Sequence, residues 1–210
     1  VEHDFGSTIV PASYEHSGLC LSWTVQNPQP LRINRVSMQN DGWFHHSNWF
    51  YVPDTIYPVP DGYWDCSSAG FTELGAAIFG GAIYAQTTQV EAEDQAFLEG
   101  AAVTIPPFAR IIAAAHILNF STEDVETGMR VQLHTLDEED VTAELEPFRF
   151  TYVDLDIPAD STTDHTGDCD LATEYASIHD EPLDMKLHYI LPHTHALGDS
   201  FTLEVSGGDA

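Results

Sequence analysis

An all-β fold, an antiparallel sandwich or jelly roll, is the class this sequence predicts, and three observations carry the expectation. Short apolar runs recur between clusters of Pro, Gly, Asn and Asp; none of them keeps a long helical period; and Met129, Val131 and Leu133 alternate with Arg130, Gln132 and His134 as on a half-buried strand. The runs, in order, are LCLSWTV (19–25), NWFYV (48–52), AAVTIPPFARIIAAAHILNF (101–120), RVQLHTL (130–136), FRFTYVDLDI (148–157), MKLHYIL (185–191) and SFTLEV (200–205). One short helix is expected, at EAEDQAFLEGA (91–101). The stretch DIPADSTTDHTGDCD (156–170), rich in Asp, Thr and Ser, reads as a loop or linker. It places a domain boundary within 150–158 and divides the chain into 1–155 and 156–210. No internal repeat is visible, which argues against a solenoid.

Composition sets the outer limits. With 43% hydrophobic residues among 210, the chain can bury one good core or two small ones. Six Lys and Arg against 34 Asp and Glu give a formal charge of −28, which excludes a nucleic-acid partner on electrostatic grounds. Two settings fit such a surface: high salt, where self-repulsion is screened, and an acidic secreted protein at ordinary salinity. No uninterrupted apolar run approaches the ~20 residues that span a bilayer, since Pro106, Pro107 and Arg110 break the stretch 101–120. No basic segment followed by an apolar one opens the chain at Val1, so the expectation is of an already processed protein.

The eleven histidines carry the chemistry. His193 and His195, in LPHTHALG, are two apart, and on a strand such residues share a face, so the pair is ready to chelate one ion. His45 and His46, in GWFHHSNWFYV, are adjacent and would point to opposite faces of a regular strand. Both reach one metal only if a bulge or strong twist re-aims one of them. His116 ends the apolar run IIAAAHILNF. Imidazole-rich sites without thiolates suit copper, zinc or iron rather than calcium or magnesium. His3, His16, His134, His165, His179 and His188 have no spacing that makes a site and read as solvent-facing or hydrogen-bonded. Met38 and Met129 read as core, and the sequon Asn119-Phe120-Ser121 as chance.

The order HH, then AAAHILNFS, then LPHTHALG resembles the copper type II, ascorbate-dependent monooxygenases, the family of the peptidylglycine α-hydroxylating and dopamine β-monooxygenases. The resemblance covers roughly residues 19–205, and HTH followed by a small residue, Leu197 and Gly198 is its most specific element. It implies two successive jelly rolls: a first domain, 1–155, and the start of a second, 156–210. It assigns His45, His46 and His116 to an electron-transfer copper, and His193 and His195 to a catalytic, oxygen-binding copper. The implied reaction is C–H hydroxylation with O₂ and a reductant such as ascorbate. Cys20 and Cys66 bracket the histidine pair as the family disulfide does, which implies a Cys20–Cys66 bridge and an oxidising compartment: secreted, extracellular or periplasmic. Cys169 is then unpaired, or paired outside 1–210.

Two departures from the family matter. Its methionine ligand lies well downstream of the His-x-His pair, whereas Met185 lies upstream, ~26 Å away along an extended strand, and would need a sharp reversal at Pro192 to ligate. The third ligand is expected from water, from another chain or from a further C-terminal part, and the same partner, or a homo-oligomer, is expected to complete the second domain. Leu191 stands where the peptide-amidating relatives carry an arginine, so a peptidylglycine substrate is disfavoured. Two other classes stay open. One is a cupin-like single-metal site of His193, His195 and Asp199, against which no histidine follows His195. The other is a non-catalytic extracellular β-sandwich that binds metal or self-assembles.

Overall fold

The computed structural model describes residues 1–147, 155–192 and 198–207. The chain divides into two compact units, Val1–Phe148 with Tyr189–Ala210, and Arg149–His188.

The first unit is an all-β sandwich. Its strands are β1 (Glu2–Val10), β2 (Tyr14–Thr24), β3 (Leu31–Asn40), β4 (Phe44–Pro53), β5 (Gly62–Asp65), β6 (Gly81–Ala85), β7 (Ala92–Ala96), β8 (Ala101–Ile105), β9 (Ala109–Asn119), β10 (Val125–Leu136) and β11 (Ala143–Glu144). One sheet runs β1-β10-β3-β8-β11, with β7 pairing β3 beside β8; the other runs β5-β2-β9-β4-β6. Pairing is antiparallel except for the two-residue contact of β11 with β8.

The inward faces of both sheets make one core, in which Leu21, Ile33, Trp49, Ile105, Ile111 and Leu133 are fully buried. Met129, Val131 and Leu133 point into it while Arg130 and Gln132 are exposed, the alternation that the sequence announces. Met38 and Met129 are core residues. A second apolar cluster, Cys20, Phe50, Val52, Phe71, Ala76 and Ile112, covers the outer face of the five-stranded sheet beneath helix α1 (Glu73–Phe79). Thr72 caps that helix by accepting from the Gly75 amide. Gly80 ends it because any Cβ there would overlap the Tyr51 carbonyl.

Three sequence expectations are corrected. The helix expected at 91–101 is instead β7: Glu93, Asp94 and Gln95 lie opposite Met38, Ser37 and Val36 of β3. Helix propensities of a few tenths of a kcal/mol per residue lose to a ladder and to burial of Gln95, whose Nε2 donates to the Ala85 carbonyl. The runs at 185–191 and 200–205 form no ladder among their described residues. Met185, Leu187, Ile190 and Leu191 stay 39–45% exposed; a strand pattern without a partner edge leaves its backbone groups to water. Of the second jelly roll expected from 156 onward, residues 193–197 lie outside the described residues, as does most of the run at 148–157.

The second unit carries one helix among its described residues. Residues 161–170 have no regular structure, as their composition predicts, and helix α2 (Leu171–His179) follows. Asp170 caps α2, accepting from the Thr173 hydroxyl and amide, and these bonds hold its carboxyl below the usual range. Cys169 is free and exposed.

One of the few cations is buried. Arg110, on β9, is 7% exposed; it donates to the Val59 carbonyl at 2.6 Å, to Thr24 Oγ1 at 2.9 Å and to Ser22 Oγ at 3.2 Å, with Asp61 Oδ1 3.4 Å away. It ties the segment before β5 to β2. Replacing it with Met removes the charge that these acceptors share, and we expect a loss of about 3 kcal/mol, the low end for a broken buried pair because Asp61 stays partly hydrated. Urea denaturation checks this; a midpoint equal to wild type would show that the cation contributes nothing net.

Candidate metal centre

His45, His46 and His116 converge through a single irregularity in β4. On β9, Ile111, Ala113, Ala115 and Ile117 face the inter-sheet core, so Ile112, Ala114 and His116 face outward. On β4, Phe44 and Trp49 face the core and Phe50 and Val52 face outward. Two residues, not one, separate Phe44 from the buried Ser47, and the β4–β9 register shifts between Phe44 and His46. The extra residue is His45: a bulge there lets His46 stand opposite His116 and re-aims His45 toward the same pair.

The bulge is braced from both sides. The Leu118 amide donates to the Trp43 carbonyl, and the Gln89 amide to the His45 carbonyl at 2.7 Å. Behind it, Ser47 Oγ donates to the buried Gln86 Oε1 and accepts from Trp49 Nε1, both at 2.8 Å, while Gln86 Nε2 donates to the Val90 carbonyl. Trp43 and Gln89 take positive φ, 70° and 58°, at the turns that deliver these contacts.

The three rings are mutual neighbours, with centroids 5.0–5.3 Å apart. One nitrogen from each lies within 4.8 Å of the others, and all three side chains are half-buried. Metal–nitrogen bonds near 2 Å place tetrahedral donors ~3.3 Å apart, so small ring rotations would close the set on one ion. The donors are three imidazoles; no thiolate or carboxylate joins them among the described residues. A carboxylate is bonded to the set: Glu15 of β2, whose Oε1 lies 3.0 Å from His116 Nε2. Sequence reading gave no hint of Glu15, because only the pairing of β2 with β9 brings it there.

The disulfide sits on the same face. Cys20 and Cys66 are bonded, and Cys20 lies opposite Ala114, two residues before His116. No helix among the described residues is long and apolar enough to cross a membrane.

The other predicted ligands, His193 and His195, lie outside the described residues. The run ahead of them does touch the sandwich: Tyr189 meets Phe97 edge-on at 5.6 Å, and burial with the nearby Glu93 charge raises its phenol above the ordinary value. Asp199 is exposed, and Met185 is 44% exposed.

The remaining histidines have ordinary surroundings. His134 bonds Ser37 Oγ and Arg35, and burial together with that guanidinium lowers its pKa; His3 stacks on Trp23; His16 faces Asp65. Asn119 is fully buried, its Nδ2 donating to the Val10, Pro11 and Glu123 carbonyls, so the sequon cannot be glycosylated in the folded protein. Compared with known proteins, the chain matches no family model and no characterised sequence.

Proposed function

We propose that this is a copper protein of the type II, ascorbate-dependent monooxygenase kind, with His45, His46 and His116 as its electron-transfer site. The observation that carries the reading is the bulge-made convergence of three imidazoles, with no other donor type in the set. Neutral imidazoles accept either copper oxidation state, whereas calcium and magnesium want oxygen ligands. Copper at such a site would supply one electron toward O₂ reduction, restored by a reductant such as ascorbate. The chain's own part is to hold three rings on a rigid sheet, so that little reorganisation follows a change of charge.

Strand order supports the jelly-roll form of the sandwich. Counting β1, β2, β3, β4, β6, the β7–β8 position, β9 and β10 as eight strands, one sheet reads first-eighth-third-sixth and the other second-seventh-fourth-fifth. The extra strands β5 and β11 lie at sheet edges. His193 and His195 are proposed as the oxygen-side copper ligands, with the third ligand from water, another chain or a further C-terminal part. The Cys20–Cys66 bridge supports an extracellular or periplasmic setting.

Metal analysis of the purified protein, loaded separately with copper, zinc and iron, tests the reading. Two coppers per chain with ascorbate-dependent oxygen uptake supports it. One iron or zinc in place of copper points to the cupin-like alternative, and a stable metal-free oligomer to the assembly module; either result overturns the proposal.

A further inference from the structure

The carboxylate of Glu15 has no place in the three-imidazole set, yet it is bonded to one member of it. Its Oε1 lies 3.0 Å from His116 Nε2. Glu15 does not join the group of mutually close donor atoms. The arrangement follows from the ladder. Glu15 lies opposite Leu118, the outward neighbour of His116 two residues along β9, and on one face of an antiparallel pair such diagonal residues are within reach of long side chains. The register of β2 against β9 then shifts between His16 and Leu19, directly after the contact.

A carboxylate oxygen only accepts, so the shared proton belongs to His116 Nε2. A neutral imidazole carries one proton, and with Nε2 protonated its Nδ1 bears the lone pair. We propose that Glu15 is the positioning residue of this centre: it holds His116 as the Nε2–H tautomer, fixes the ring's rotation and leaves Nδ1 as the donor to the metal. The inference rests on the metal-binding reading above. Its chemistry is that of a carboxylate backing a ligand histidine, which orients the ring and makes it a stronger base. Glu15 is 59% exposed, so its charge is partly screened and the directional bond carries most of the effect.

The test combines two readouts. Nitrogen NMR of the imidazoles in metal-free protein reports which ring nitrogen of His116 carries the proton. Copper titration against a competing chelator reports affinity. Wild type is expected to show the proton on Nε2. Glu15→Ala should give a mixture of tautomers and bind copper about 10–100-fold more weakly. Glu15→Gln keeps an acceptor oxygen without the charge and should recover the tautomer and part of the affinity. Because Glu15 is exposed, both variants should melt close to wild type, which separates positioning from unfolding.

A proton found on Nδ1 in wild type, or a Glu15→Ala protein with unchanged tautomer and affinity, overturns the proposal. Wild-type protein that shows the Nε2 proton, loses it in Glu15→Ala and yet binds no copper supports the hold of Glu15 on His116 and overturns the metal reading instead.

Discussion

Replacing His46 with alanine should empty the three-imidazole site of copper while leaving the sandwich intact. Loss of an outer-shell partner costs roughly 10–100-fold in metal affinity, and removing a ligand outright costs more, so a fall beyond about 100-fold is expected. The change leaves the strand alone for a structural reason. His46 is half-buried on the outer face of its sheet, opposite His116, and its ladder bonds to β9 are made by the backbone. Stability should therefore shift by about 0.5 kcal/mol, as for ordinary surface substitutions. His45→Ala should behave alike, since Phe44 and Ser47 still occupy the core side and still require an extra residue between them. Isothermal titration with copper beside thermal unfolding measures both quantities. A variant that binds copper as tightly as wild type would remove His46 from the ligand set and with it the reason for the bulge.

That bulge was half legible. Adjacency of two histidines on a strand demands one if both are to reach a single ion, and the demand could be stated from spacing alone. Its braces could not. The bonds of Gln89 to the His45 carbonyl and of Ser47 to Gln86 join residues far apart in sequence, and no local pattern announces them. The central strands β2, β4, β9 and β10 were readable because each buries a face and so alternates or runs apolar. β1 was missed because only Phe5 and Val10 of its nine residues are buried. β7 was misread because its sequence, AEDQA, favours a helix locally and becomes a strand only against β3. At 185–191 and 200–205 the error ran the other way: β-branched and aromatic residues give strand propensity, but propensity without a partner makes no ladder. Glu15 left no trace in the sequence because its role exists only across the β2–β9 pairing.

Removing the Cys20–Cys66 bridge should be the costliest change to stability, and it should separate the fold's security from the geometry of the site. The bridge spans 46 residues, a stretch that contains all of β3 and β4 and with them His45 and His46. Closing a loop of that length removes denatured-state entropy worth about 4 kcal/mol at room temperature in the chain-entropy model. Cys20 is fully buried among Phe50, Val52, Phe71 and Ile112, so alanine is the replacement that leaves no unsatisfied hydroxyl there. The double variant Cys20→Ala, Cys66→Ala should lose about 4 kcal/mol, and for a protein of this size its melting temperature should fall by about 8–16 °C. Copper affinity measured well below the transition should nevertheless hold. The three rings are placed by the register of β4 on β9 and by the contacts of Gln89 and Leu118, none of which the bridge makes. Circular dichroism melts, compared with wild type in the presence and absence of a thiol reductant, give the first quantity, and titration in the cold gives the second. An unchanged melt would mean that the denatured chain is already compact around these residues. A stable variant that no longer binds copper would mean that the bridge, and not the ladder, sets the ligand positions.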